Sequence, residues 1–447
     1  MPETKKTHVR YLILLMLLLV TTVSFADRAA ISIAGASLQD DLGIDAVTLG
    51  YIFSAFGWSY VLAQIPSGWL LDRFGSKHIY AAGIFIWSVF TLLQGFVGLM
   101  PVAWAVTSLF LLRFMSGLAG APAFPGNACI VAEWFPTSER GTASAIFSSG
   151  QYFATALFAP LMGWMVYSLG WEYVFVSIGL LGMVLSGIWM KTIYSPKEHP
   201  RISAAELHYI EQNGGLVNRK PSRKGDGPKW HHIKQLLTNR MLLGVYLGQS
   251  CTNTITYFFL TWFPVYLVQE RGMTILKAGL IASLPAICGL VGGVLGGVIS
   301  DHLLRKGYSL TLARKLPIVC GLLLSSTMVL CNYVSAEWLV VGVMTLAFFG
   351  KGLCSLGWAV VSDTSPRQIA GLSGGLFNTF ANLASITTPI VIGYIIHATG
   401  SFRWALVYVS ANALVAILSY LLIVGPIKRV ELRACDDRVG TPASSQT

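Results

Sequence analysis

Runs of 18 or more predominantly apolar residues recur along nearly the whole chain, and a run of that length is what a helix needs to cross a bilayer. Polar punctuation divides the 447 residues into twelve such runs, at about 10–33, 46–71, 79–99, 103–132, 141–168, 172–193, 241–268, 276–302, 314–333, 338–362, 370–397 and 403–425. Charged residues make up 11% of the chain and the mean hydropathy is +0.63. An average globular chain carries about 25% charge, so a soluble fold is excluded. The expected fold class is an all-α polytopic membrane protein, with twelve transmembrane helices in two pseudo-symmetric bundles of six. The expected domains are an N-terminal bundle over 1–193, a linker over 194–240, a C-terminal bundle over 241–426 and a tail over 427–447.

An even number of spans places both termini on one side, and charge says which. Of 31 Lys and Arg, 25 fall on the side of the N-terminus. Arg271, Lys277 and Arg403 fall on the other, and Arg28, Arg113 and Lys351 lie within spans. The positive-inside rule then predicts that both termini are cytoplasmic, and the first external loop carries Asp40, Asp41 and Asp45 with no basic residue. The net charge of +11 is spread over these gaps rather than gathered on one polar domain, which argues against a nucleic-acid partner. Seven cysteines without a C-x-x-C pair imply neither a disulfide framework nor a metal site. Lys5, Lys6 and Arg10 before the run 11–25 resemble a secretory signal, but cleavage near Ala29 would discard the only deeply placed carboxylate, so an uncleaved first span is expected.

The polar stretch 194–240 separates the two sets of six spans and holds nine basic residues, which predicts a linker against anionic headgroups. Ser203 with Glu206 forms a capping-box pattern, and Gly214 and Gly215 follow as a stop, so a short helix is expected between them. Sliding the halves by 229 to 230 residues superimposes Gly68 and Asp72 on Gly297 and Asp301, Pro136 and Gly141 on Pro366 and Gly371, and Pro160 and Gly163 on Pro389 and Gly393. Repeat-built transporters have this organisation, and one chain then holds a complete pathway, so a functional monomer is expected.

The turn after the second span reads GWLLDRFGSK, and its counterpart after the eighth reads GVISDHLLRKG. Gly68 and Gly297 permit close helix approach, while Asp72 and Asp301 can cap helix N-termini or pair with Arg73, Lys77 or Arg305. Such a charged latch would hold one conformation shut. The pattern resembles the signature of the major facilitator superfamily. The segments FSAFGWSYVLAQIPSGWLLDRFGSK (53–77), APAFPGN (121–127), WFPTSERGTASAIF (134–147), LTWFPVYLVQ (260–269) and GLSGGLFN (371–378) resemble its anion:cation symporter branch. FFGKG at 348–352, and the chain from about 8 to 433, are similar to bacterial glucarate and galactarate transporters. That resemblance implies proton-driven uptake of a hexaric sugar acid by alternating access.

A cation inside a span costs about 2.5 to 3.5 kcal/mol on insertion scales and persists mainly where it lines a cavity or has a partner. Arg28 is therefore the leading anion-binding candidate, its planar donor fork matching a carboxylate, and the resemblance assigns the matching arginine that role. Asp27 precedes it, about 100° around the helix, so the two need not pair directly. A substrate anion competing for the neighbouring cation would raise the proton affinity of Asp27, which couples occupancy to protonation. Arg113 is expected to gate or to pair with Asp27. Lys351 suits the second carboxylate of a diacid, against a packing role or snorkelling. Tyr60, Gln151, Ser355, Trp358 and Asn378 match family positions lining the central cavity, where hydroxyls need neutral donors and acceptors.

Three positions depart from the family: Gly120 stands where an acidic residue is common, Cys129 where arginine is, and Phe25 where tyrosine is. Gly120 bears on coupling, because the missing glutamate is one of two carboxylates to which proton coupling is attributed in the family. Importing a dianion against 100 mV, inside negative, costs roughly 4.6 kcal/mol, at about 2.3 kcal/mol per charge. Two protons make entry electroneutral, and one leaves a negative charge moving uphill. Alternatives are another sugar acid such as galactonate, weakly coupled transport, or a sugar-acid sensor that does not transport. An enzyme or ATP-driven pump is disfavoured: Gly350 and Lys351 lack the upstream glycine and following Ser/Thr of a P-loop, and no H-E-x-x-H occurs. No cofactor is expected.

Overall fold

The computed structural model describes residues 7–136, 139–217, 230–366 and 369–431. Among these residues, ten helices are long and apolar enough to cross a membrane. Two further segments complete twelve spans: α1 (Val9–Leu42), α2 (Ala46–Phe74), α3 (Ser76–Gln94), α4 (Val102–Trp134), α5 (140–168), α6 (Trp171–Thr192), α7 (240–269), α8 (Ile275–Arg305), α9 (Leu310–Tyr333), α10 (Glu337–Thr364), α11 (Ala370–Thr399) and α12 (Arg403–Ile423). The two weaker spans have identifiable causes. In α5 the helix breaks at Ser149, and α7 carries Gln249, Ser250, Thr252, Asn253, Thr254 and Thr256 before a π-helical turn over Phe258–Trp262.

Several helices run past the boundaries set by hydropathy. The first continues to Leu42, so Asp40 and Asp41 lie in its last turn, and Gly43 ends it in the left-handed conformation at φ 59°. Asp41 there accepts a hydrogen bond from the Trp171 indole at 2.8 Å. Asp45 caps α2 by accepting the Thr48 N–H at 2.8 Å.

Within the first six spans α1 packs on α5 and α6, α3 on α4 and α6, and α2 on α4. Within the last six α8 and α9 pack on α10, and α7 on α11 and α12. The two sets meet along α2–α11, α5–α8 and α1–α7. Small residues make this seam possible. A Cβ at Gly50 would stand 2.6 Å from the Pro389 carbonyl oxygen, one at Gly393 2.6 Å from that of Ala46, and one at Gly163 3.1 Å from the Gly279 Cα. Backbone thus touches backbone, as in small-residue crossings of membrane helices. Polar contacts reinforce the same end: Gln39 to Gln269 at 2.8 Å, Tyr51 to Tyr394 at 3.3 Å, and Asp45 to His397 at 3.4 Å.

The opposite end, where the described chain begins and finishes, is splayed. Cβ atoms built at Gly68, Gly141, Gly297 or Gly375 would meet nothing within 4 Å, and Trp69 is exposed. The close approach expected at Gly68 and Gly297 is therefore absent in this conformation, because the helices they would serve have separated. The latch residues are occupied differently from expectation. Arg73 lies over Trp69 and Phe74 of its own helix, and Lys77 sits 3.2 Å from the centre of the Tyr194 ring. Asp301 reaches Arg314 at 3.9 Å rather than Arg305, which is exposed. Arg314 in turn pairs with Asp363 at 2.8 Å and donates to Ser300 at 3.0 Å, tying α8, α9 and α10 together. The side chain of Asp72 lies outside the described residues.

The helix expected after Ser203 is present at Ala204–Gln212, with Ser203 accepting the Glu206 N–H at 3.2 Å and Gly214 following at φ 87°. Glu206 does not turn back on Ser203. Its carboxylate accepts the N–H groups of Val9 at 3.1 Å and Arg10 at 3.2 Å and the Thr7 hydroxyl at 2.6 Å, capping the first turn of α1. Tyr209 and Arg10 both reach Glu139, at 2.8 and 3.4 Å, and Arg140 donates to the Gly214 carbonyl at 2.7 Å. This helix is docked on the start of α1, where its acidic and aromatic residues meet unpaired N–H groups and Arg10. A second short helix at Trp230–Thr238 had no sequence forecast, and the stretches 218–229 and 432–447 of the linker and tail lie outside the described residues.

Replacing Gly50 with alanine forces a methyl group against the Pro389 carbonyl and parts the closed seam. The expected outcome is faster thiol labelling of a cysteine placed at Ser385, buried against Gly57 in the seam, in Gly50→Ala than in the parent carrying the same cysteine. Equal labelling rates would show that the seam absorbs the methyl.

Candidate functional site

Halfway along α1, successive side chains diverge by about 100°, so Asp27 and Arg28 enter different surroundings. Asp27 turns to α3 and α4: its Oδ1 accepts the Thr91 hydroxyl at 2.7 Å and lies 4.0 Å from the Arg113 guanidinium, which also donates to the Asp27 carbonyl at 3.3 Å. Both charged side chains are only 2% exposed. In the absence of water such a pair is held by its mutual charge and by supplementary hydrogen bonds.

Arg28 turns instead toward α2. Its guanidinium carbon lies 4.7, 4.4 and 4.8 Å from the ring centres of Phe25, Phe56 and Tyr60, a cage in which ring faces offset part of the lost hydration. Phe25 and Arg28 are one helical turn apart, and Tyr60 stacks on Phe56 at 5.5 Å, one turn before it on α2. The Arg28 Nε and Nη2 atoms are buried with no hydrogen-bond partner. With Arg113 paired to the one carboxylate, Arg28 supplies the net positive charge of this cluster.

Beyond Phe25 opens a cavity bounded by α1, α5, α7, α8 and α10. Its wall is mostly apolar, from Phe25, Phe259, Phe263, Pro285 and Phe348, with Gln151, Tyr152, Thr155 and Thr256 as the polar residues. Lys351 lies behind two residues of this wall, 3.4 Å from the Tyr152 hydroxyl, with its ammonium over the Tyr152 and Phe348 rings at 5.3 and 5.4 Å. Lys351 is 7% and Arg28 6% exposed, and among the described residues no carboxylate lies within 4.0 Å of either. Each cation thus lies against aromatic residues of the wall, Arg28 against Phe25 and Lys351 against Tyr152 and Phe348.

The family model for the Major Facilitator Superfamily matches residues 17–312. The chain is 64% identical to the probable galactarate/D-glucarate transporter GudP of Bacillus subtilis (strain 168), over 97% of this chain and 95% of that one. It is 45% identical to the D-galactonate transporter of Escherichia coli O6:H1, over 94% and 97%. The chain belongs to the major facilitator superfamily. Its fold matches that of a bacterial homolog to the human lysosomal transporter Spinster, at a TM-score of 0.74 and 16% identity, covering 94% of this chain and 98% of that one.

Of the residues selected in the sequence for this superfamily member, Gln151 lines the cavity, while Arg28 with Tyr60, and Lys351, flank it. Asn378 stands apart, donating to the Gln64 side chain at 3.3 Å across the α2–α11 seam. Ser355 and Trp358 are exposed, with Trp358 edge-on to Phe377 at 5.0 Å, so neither bounds the cavity in this conformation. Sequence reasoning missed Tyr152, Thr256 and Phe56. Tyr152 was signalled by its place beside Gln151, and Phe56 by standing one turn before Tyr60; Thr256 had no signal beyond an unusually polar span. Gly120 is buried where α4 breaks, and a Cβ there would meet Phe56 at 3.5 Å and Trp87 at 3.7 Å, ordinary contact distances. An acidic side chain at 120 would thus start beside the ring that covers Arg28 and, at 5.8 Å, Arg113.

Because Asp27 is the partner of a buried guanidinium, Asp27→Asn strands Arg113. Unfolding stability in detergent is expected to fall by about 3–5 kcal/mol, with much of the loss recovered in Asp27→Asn combined with Arg113→Leu. A single mutant as stable as the parent would show that the pair carries no structural weight.

Proposed function

We propose that this protein takes up a hexaric sugar acid, galactarate or glucarate, by proton symport in the bacterial inner membrane, with both termini in the cytoplasm. The observation that carries this reading is the pair of cations without carboxylate partners among the described residues, Arg28 and Lys351, each set against a different aromatic residue of one cavity wall. A six-carbon diacid has one carboxylate for each and hydroxyls for Gln151 and Tyr152 between them. The name of the relative at 64% identity supports the same substrate class.

Transport is assigned to alternating access, each six-span bundle moving as a unit about the central cavity, a reading supported by the contact of the two sets of spans at one end. Proton coupling is assigned to Asp27. When the incoming carboxylate engages Arg28, the local positive charge that favours ionised Asp27 is neutralised, and the carboxyl gains a proton. Arg113, held by Asp27, is freed by that protonation. Tyr60 supports the Arg28 cage, while Ser355, Trp358 and Asn378 are assigned to the substrate in the state in which α10 and α11 close over the site. Gly68, Asp72, Arg73, Lys77, Asp301 and Arg305 are assigned to the latch that forms at the cytoplasmic end when the transporter faces outward. The functional unit is one chain.

A monocarboxylate such as galactonate is the second reading, favoured by the named D-galactonate relative and by the Tyr152 hydroxyl that already occupies Lys351. Uptake of labelled galactarate, glucarate and galactonate into proteoliposomes separates the two, with and without an inward proton gradient. Gradient-driven accumulation of the two diacids is expected, with Lys351→Ala weakening them by 10- to 100-fold, about the worth of a charge-assisted hydrogen bond, and leaving galactonate little changed. Accumulation by Gly120→Glu alone, with exchange by both proteins, would assign to Gly120 a loss of coupling. Absence of exchange for both diacids would sink the assignment.

A further inference from the structure

Threonines inside α7 follow one habit with a single exception. Thr252 donates to the Gly248 carbonyl at 2.8 Å, Thr254 to that of Ser250 at 3.4 Å, and Thr261 to that of Tyr257 at 2.5 Å. This is the usual resort of a hydroxyl in a helix, where the preceding turn offers an acceptor four residues back. Thr256 does not take it. Its Oγ1 is buried without a hydrogen-bond partner, and its side chain forms part of the wall of the cavity.

Buried hydroxyls are almost always paired, and one left unpaired in a native structure calls for an explanation. Here the surroundings supply one. Across the cavity stand Gln151 and Tyr152 of α5, and the rest of the wall about Thr256 is Phe259, Leu260 and Phe263 of its own helix with Phe25 of α1. The π-helical turn begins two residues later, at Phe258, so Thr256 occupies the last regular turn before the backbone of α7 is re-aimed. A rotatable hydroxyl that both donates and accepts, set in the mostly apolar wall against which Arg28 and Lys351 also stand, is complementary to an alcohol in the middle of a dianion.

We infer that Thr256 is a specificity-determining residue, hydrogen-bonding a mid-chain hydroxyl of the polyhydroxylated diacid and so reading the configuration of the carbon that bears it. The inference rests on the uptake reading above and adds to it the group that separates a sugar diacid from its deoxygenated or epimeric counterpart. A pocket built to pair a substrate hydroxyl discriminates strongly against an analogue lacking it, whereas an apolar wall does not.

The test is equilibrium binding of galactarate and glucarate to the purified full-length protein in nanodiscs, comparing the parent with Thr256→Val, which keeps the shape, and Thr256→Ser, which keeps the hydroxyl. The valine variant is expected to bind the favoured epimer about fivefold more weakly, the worth of one neutral hydrogen bond, and to narrow the ratio between the two epimers. The serine variant is expected to stay close to the parent. Valine binding like the parent, or valine and serine weakened alike, would overturn the role of Thr256 while leaving the transporter assignment standing. A parent that binds neither sugar acid would overturn both.

Discussion

Hydrocarbon offers the backbone no hydrogen bonds, so each span must satisfy its own N–H and C=O groups, and departures from the α-helix are tolerated only where protein or a cavity covers them. Four of the departures in this chain stand beside residues of the site, while those in α9 at Thr327–Tyr333 and in α12 at Ser419–Ile423 lie away from it. The helix α4 is broken at Ala121 and Pro122, next to Gly120; α5 at Ser149, next to Gln151 and Tyr152; α7 by its π turn, which supplies Phe259 and Leu260 to the cavity; and α10 by a 3₁₀ turn at Cys354–Leu356, one turn beyond Lys351. Each loosened carbonyl that the structure accounts for has a side-chain donor. Ser32 of α1 donates to the Thr261 carbonyl at 2.5 Å, which joins the two sets of spans through the irregular turn itself. The Cys354 thiol contacts the carbonyls of Gly350 and Ile318 at 3.2 and 3.3 Å.

The same absence of water sets the electrostatics. Three charges lie together near the middle of the first bundle, and only one is negative. Pairing Asp27 with Arg113 leaves Arg28 to be balanced by ring faces, which attract a cation but cannot neutralise it. The surplus positive charge is what an anion can neutralise. Lys351 repeats the arrangement on α10, with a phenol and a phenyl ring in place of the three-ring cage. The cavity beside them is lined by side chains that hold no charge, so the field across it is set from behind the walls.

Much of this was legible in the chain because membrane spans are written in composition over 20 residues, a signal that local detail cannot erase. The number of spans, the helix after Ser203 and the importance of Arg28, Asp27, Arg113 and Lys351 as intramembrane charges follow from that signal. Contacts between distant segments are another matter. Nothing near Glu206 tells that it caps α1 nearly 200 residues earlier, and Asp301 had nearer basic neighbours than Arg314. The latch glycines were read correctly as small but not as separated, since a sequence describes every state of a moving protein and a structure describes one. The irregular turns that shape the cavity leave only polar residues in α7 as a trace, because the cost of a π turn is settled by Ser32 on another helix.

On the transport reading proposed above, the closed seam is the element that a small ligand would have to open. Its core is glycine against carbonyl, at Gly50, Gly393 and Gly163, contacts that depend on distance and vanish together once the helices part. Its polar bonds, Gln39 to Gln269, Tyr51 to Tyr394 and Asp45 to His397, lie exposed at the rim, where each contributes about 0–1.5 kcal/mol. A ligand shifts such an equilibrium only by the difference in its affinity for the two states. One carboxylate engaging Arg28 through charge-assisted hydrogen bonds supplies an amount of the same order as the seam's rim contacts, about 1.5–3 kcal/mol per bond. The charged site and the uncharged seam are therefore matched in scale, which lets occupancy of the one decide the fate of the other.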